Sequence, residues 1–188
     1  MSYGINRERA LQLVRSHLRN QNMINHSLAS EAVLRAMADR LGEDCEKWGL
    51  AGLLHDLDSE SQPDLATHTT ETVEVLQDEG VDTEIVEAIR LHNLQAWPGE
   101  ERSTVFQHAL AAGETITGLV VATALVYPDK KLGSVKPKSV KKRIKEKAFA
   151  RGANRDIIRE CEQAGIPLAD FCELSLTAMQ EISEDLGL

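Results

Sequence analysis

Apolar residues recur along this chain at steps of three and four, the repeat of a helix with one buried face. Ala10, Leu11, Val14 and Leu18 mark one such face, and Ala29, Val33, Met37 and Leu41 a second. Gly42 is placed to stop that second helix, and Asp44 to cap a third that carries Leu50, Leu53 and Leu54 up to His55-Asp56. His68 opens a segment running Thr69 to Gln77 and closed by Gly80; Asp82 caps Thr83 to His92, with Ile85, Val86 and Ile89 inward. After the break at Pro98-Gly99 a long helical pattern runs from about Ser103 to Val126, ended by Pro128 and Gly133. Pro137 then precedes a basic helix, Ser139 to Ala150, which Gly152 terminates. Asn154 begins an eighth helix, and Gly165-Ile-Pro167 separates it from a last one, Leu168 to Asp185. No segment alternates with period two, so the pattern predicts an all-α, single-domain helical bundle of eight or nine helices, without internal repeats.

Composition agrees with that reading. Only 4% of the 188 residues are aromatic, while Leu, Ala, Val, Glu and Arg dominate, which suits helix packing better than a sheet core. One core is enough at this length, and no Pro/Ser/Gly-rich linker divides the chain. The start of the chain, Met1 to Arg7, has no apolar signal region, and the longest apolar stretch, Gly118 to Tyr127, is short of the roughly 20 residues that span a bilayer. A cytoplasmic protein without a membrane partner is expected. Cys45, Cys161 and Cys172 form no CxxC pair and read as packing residues.

The formal charge of −9 conceals an asymmetry, because residues 130–151 hold ten Lys/Arg and one acid, Glu146. One basic strip is set on an acidic body.

The candidate chemistry lies in the histidines. His26, His55-Asp56, His68 and His92, with Glu114, fall on five different predicted elements: His26 at the start of the second helix, His55-Asp56 at the end of the third, His68 at the start of the fourth, His92 at the end of the fifth, and Glu114 inside the sixth. Neutral imidazoles and carboxylates converging from several helices are the materials of a divalent metal centre. Adjacent side chains diverge by roughly 100° on a regular helix, so His55 and Asp56 can share a site only near a helix end.

On these residues the chain resembles the HD-domain superfamily of metal-dependent phosphohydrolases. Leu53-Leu-His-Asp-Leu-Asp58, His68, Ile89-Arg-Leu-His-Asn93, Thr117-Gly-Leu-Val-Val-Ala122 and the block Val135 to Arg155 are similar to segments of a small stand-alone subgroup of predicted HD hydrolases, over about residues 20–160. The resemblance implies a core of about residues 20–127 with the basic and C-terminal helices, 135–188, packed on it. It further implies that His26, His55, Asp56 and a later acid surround a first ion, and that Asp56 bridges to a second held by His68 and His92. Glu114 stands where the family usually has Asp, one methylene further from its backbone. His55 and Asp56 would be the catalytic pair, with one or two divalent ions, Mn, Fe, Mg, Zn or Ni undecided, activating water for attack on phosphorus.

Around that set, Asp58 reads as a turn residue or as the partner of a ligand histidine. His17 and His108 read as structural, and Asn93 as a substrate contact. In the basic strip, Lys136 and Lys142 are the residues expected to hold a substrate phosphate, as ammonium groups stabilise anionic oxygens. The strip has little aromatic stacking beyond Phe149, and the acidic body repels a polyanion, so nucleic acid is disfavoured against a nucleotide or another small phosphorylated molecule. A homo-oligomer is left open. Two other functions use the same residues: a di-iron oxygenase of the same fold, since these ligands also suit iron, and a non-catalytic module that binds a phosphorylated ligand.

Overall fold

A computed structural model describes residues 3–188; Met1 and Ser2, part of the segment read above for a signal, lie outside the described residues. Among these residues there are ten α-helices and no strand: α1 (Arg7–His17), α2 (Gln21–Leu41), α3 (Cys45–Leu54), α4 (Thr70–Asp78), α5 (Thr83–His92), α6 (Val105–Leu125), α7 (Pro137–Lys145), α8 (Arg155–Ile158), α9 (Leu168–Glu181) and α10 (Ser183–Leu186). The boundaries follow local chemistry. The Asn6 side chain accepts from Arg9 N–H, Asp44 from Glu46 and Lys47, and Asp82 from Glu84, each closing an N-terminus, while Thr104 and Gln107 form a reciprocal capping box on α6. Gly42, at φ 75°, takes the left-handed conformation that ends α2.

The two 21-residue helices, α2 and α6, form the spine on which the others pack. α6 has the length and composition of a membrane span, but its surface is mostly buried among the other helices. Glycines set how closely its neighbours approach. A Cβ on Gly52 of α3 would lie 2.6 Å from the Ser30 carbonyl oxygen and 2.9 Å from Glu31 N, and one on Gly113 of α6 would lie 2.5 Å from Leu34 Cδ2. The hairpin of α2 and α3 therefore closes backbone to backbone, which brings the end of α3 against the first turns of α2. A single contiguous apolar cluster runs from Tyr3 through Leu34, Leu53 and Ile116 to Phe171 and Leu186.

Four expectations about the helices are corrected. The last predicted helix breaks at Ile182 into α9 and α10, and α8 is only four residues long. The basic helix is displaced: it begins at Pro137, a residue whose fixed φ favours a first helical position, and it ends at Lys145 rather than Ala150. Beyond it the chain turns, because the Arg155 guanidinium gathers the carbonyls of Ala150 (2.7 Å), Ala153 (2.5 Å), Glu146 (3.3 Å), Arg143 (3.4 Å) and Phe149. His68 precedes α4 instead of opening it, and Thr69 between them sits at φ 88°. All three cysteines are free, and burial pushes the thiols of Cys161 and Cys172 up to about 12 and about 11, as suits packing residues.

Candidate metal centre

His26 projects from the second turn of α2, not from its start, and meets the C-terminal end of α3, where His55 is the capping residue. Because the helix ends there, His55 and Asp56 both turn into the same space. His26 Nε2 lies 3.1 Å from His55 Nε2, and these atoms stand 3.6 and 3.5 Å from the Asp56 oxygens. On the other side of Asp56, Oδ1 lies 3.0 Å from His68 Nε2 and 3.4 Å from His92 Nε2, and those two nitrogens are 3.3 Å apart. Two three-donor groups result, His26-His55-Asp56 and Asp56-His68-His92, with Asp56 common to both.

Each imidazole is fixed through its other nitrogen. His55 Nδ1–H donates to the Gly52 carbonyl at 2.9 Å and His92 Nδ1–H to the Ile89 carbonyl at 2.7 Å. His68 Nδ1–H donates to Asp58 Oδ1 at 2.8 Å. The hydroxyl of Thr117 donates to the Glu114 carbonyl, so its oxygen accepts from His26 Nδ1–H at 2.9 Å. These partners assign all four protons to Nδ1 and leave the four Nε2 lone pairs directed inward. Lone pairs facing each other across about 3 Å repel unless a proton or a cation lies between them, so the donor set fits divalent ions.

The electrostatics agree. Burial pushes His55 down to about 3, keeping its ring neutral as ligation requires. Burial would raise the Asp56 carboxyl, but the surrounding imidazoles hold it well below the usual range. For His68, burial opposes charge, yet hydrogen bonds to Asp56 and Asp58 outweigh it and raise the ring to about 10 in the metal-free protein. A proton there stands where a cation would.

Glu114 lies on α6 beside the first group but belongs to neither: Oε2 is 3.9 Å from His26 Nε2, and Oε1 accepts from the Thr115 hydroxyl. Burial raises its pKa. Asn93 lines the cleft, but its amide is occupied within the protein. Nδ2 donates to the carbonyls of Leu65 (2.7 Å) and His68 (3.0 Å), and Oδ1 accepts from Gln95 N–H, so it clamps the loop that carries His68. His17 bonds the Leu13 carbonyl, and His108 pairs with Glu160 at 2.8 Å.

The candidate ligands His26, Asp56, His68 and His92 line a cleft of about 670 Å³ together with the segment after α7. Lys136 and Lys142 are not in it. With Val140 and Ile144 buried, α7 turns Lys142 outward to Glu146 at 3.7 Å, and the basic residues that reach the cleft are Lys147, Arg151 and Arg155. Arg155 is committed to the loop's carbonyls, leaving Lys147 and Arg151, both exposed, as the free cations lining the cleft. The sequence reading placed Lys147 inside the basic helix, whereas the helix ends before it, at Lys145. A larger groove of about 820 Å³, between α2 and α9, contains no converging donors.

The chain is a helical bundle in which four tautomer-fixed histidines around a shared aspartate form buried groups that could hold divalent ions. The family model described as HD domain matches residues 23–124, more than half of the chain, and the chain belongs to the HD-domain family. That family is one of metal-dependent phosphohydrolases. No curated protein and no solved structure matches the chain.

Proposed function

We propose that the protein is a metal-dependent phosphohydrolase acting on a nucleotide or other small phosphate ester. The observation that carries this reading is the pair of three-donor groups sharing Asp56 in a cleft also lined by Lys147 and Arg151. Divalent ions held by His26, His55 and Asp56, and by Asp56, His68 and His92, would supply a water of lowered pKa as nucleophile and neutralise phosphoryl oxygens. The chain's own residues do the rest. Lys147 and Arg151 draw the phosphate of the ester toward the candidate ligands, with the planar guanidinium suited to two oxygens at once. Thr117, Gly52, Asp58 and Ile89 hold the four rings so that binding requires no rearrangement of the imidazoles.

The test is phosphate release from a panel of nucleotides and phosphoesters by protein loaded with manganese, iron or zinc, beside His55→Ala. Release abolished in His55→Ala supports the reading; no release from any ester sinks it. The imidazole-rich donor set also supports a second reading, a di-iron oxygenase. Oxygen uptake by the iron-loaded protein, with a redox-dependent absorption band, would favour it, although the cationic wall speaks for a phosphorylated substrate.

A further inference from the structure

The cleft continues past His26. On the far side of His26 and Gly118, which line both spaces, lies a second cavity of about 380 Å³ between α2, α6 and α10. Its lining differs in kind: Asn22, Asn25 and Thr117 are polar, but Ala29, Val121, Ala122, Leu125 and Leu186 make most of the surface apolar. Residues three and four apart on a helix share a face. One face of α6 therefore passes from Glu114 and Thr115, beside the metal ligands, through Gly118 to Val121, Ala122 and Leu125. Leu125 is 49% exposed at the end of this face.

Gly118 is the informative residue. Glycine is among the least favourable residues inside a helix, and here neither conformation nor packing accounts for it. Its φ is not positive, and a Cβ built on it meets nothing within 4 Å. Gly113, five residues earlier, is different, since a Cβ there would meet Leu34 Cδ2 at 2.5 Å. Gly118 is exposed and lines both spaces, so the missing side chain leaves the helix surface between the ionic cleft and the apolar cavity open.

We propose that the ligand of this site is a phosphate ester of a medium-sized apolar group, lying along α6 with its phosphate at Lys147 and Arg151 and its organic part crossing Gly118 into the apolar cavity. The head-group half of this inference rests on the phosphoester reading above; the apolar half rests on the second cavity. A volume of 380 Å³ corresponds to about a dozen water-sized atoms. That suits a short alkyl or aryl group and not the paired chains of a bilayer lipid.

The experiment titrates alkylphosphonates, from methyl to dodecyl, into the metal-loaded protein by calorimetry. Affinity is expected to rise about fourfold per added methylene and then to level off as the cavity fills. Gly118→Leu should abolish the rise, and Leu125→Asn, at an exposed position, should remove its last steps, with thermal melts confirming that both variants fold. Equal affinity at all lengths, a rise the same in both variants as in the wild type, or one continuing undiminished to dodecyl would overturn the proposal. Phosphonates are not hydrolysed, so the gradient is independent of turnover. A gradient without phosphate release from the matching alkyl phosphates refutes the hydrolase reading alone, and release without a gradient refutes this one alone.

Discussion

Asp58 and His68 are joined by a 2.8 Å hydrogen bond from Nδ1–H to Oδ1, while the second Asp58 oxygen accepts the backbone N–H of Thr69 at 2.9 Å and of Thr72 at 3.1 Å. One buried carboxylate thus fixes the ring of a metal-ligand candidate, the left-handed Thr69 beside it and the first turn of α4. Burial would raise the Asp58 carboxyl, but His68 and Thr72 hold it below its ordinary value. Asp58→Asn should weaken ion binding at the Asp56-His68-His92 group by about 10–100-fold while sparing the other group. Titration of metal into the apo variant, followed by calorimetry, reads the two sites separately.

In the metal-free protein, the raised His68 pKa has a direct thermodynamic sign. Its stabilising contribution is complete below the ordinary histidine value of about 6.5 and is lost as pH rises through about 10. Apo stability should therefore decline across that window, and loading the second group near pH 8 should release about one proton per chain from His68. Calorimetry in buffers of different ionisation enthalpy counts that proton, and a pH-independent apo stability would contradict the assignment.

Gly52 is expected to tolerate no side chain. With the Ser30 carbonyl 2.6 Å from the position of a Cβ, Gly52→Ala must separate α3 from α2, at about 1–3 kcal/mol. Because the Gly52 carbonyl also accepts from His55, the same change should reduce metal content in the His26-His55-Asp56 group. Urea melts and elemental analysis measure the two effects.

Behind His92, Arg102 donates to the carbonyls of Leu91 (2.7 Å) and His92 (3.3 Å) and is held by Glu160, the pair being 6% and 14% exposed. Burial would raise Glu160, but Arg102 and His108 more than offset it and keep its pKa low. Its contribution is present above the ordinary carboxylate range and is lost as pH falls through the folded value. Glu160→Gln should cost about 2–4 kcal/mol at pH 7, below the figure for a fully buried pair, and less at pH 4. Denaturant unfolding at the two pH values checks this.

Charge on the cleft wall should be selective in effect. Lys147→Ala and Arg151→Ala are each expected to weaken phosphoester binding by about 10-fold or more, whereas Lys136→Ala and Lys142→Ala, outside the cleft, should leave it within twofold. Steady-state KM or phosphonate affinity distinguishes the two pairs.

The helices were legible because they follow short-range rules: apolar periodicity, capping side chains and glycine stops located most elements, and the candidate histidines were singled out by their placement on several helices and by the family resemblance. What was not legible depended on contacts distant in sequence. Lys138, Lys142 and Lys145 recur at helical steps, so nothing local shows that Arg155 will gather the carbonyls of the following segment and carry Lys147 and Arg151 to the cleft. Asn93 looked like a ligand contact because it adjoins His92, and only the fold shows its amide bound to Leu65 and His68. The length of the Glu114 side chain was evident, but its turn toward Thr115 was not.

The central claim is two ion sites sharing Asp56, and the most direct test is metal stoichiometry by elemental analysis of wild-type, His68→Ala and His55→Ala protein after loading. The account predicts two ions per chain in the wild type and one in His68→Ala, with the His26-His55-Asp56 site lost in His55→Ala. Wild-type protein that retains no metal after exposure to manganese, iron or zinc would contradict it.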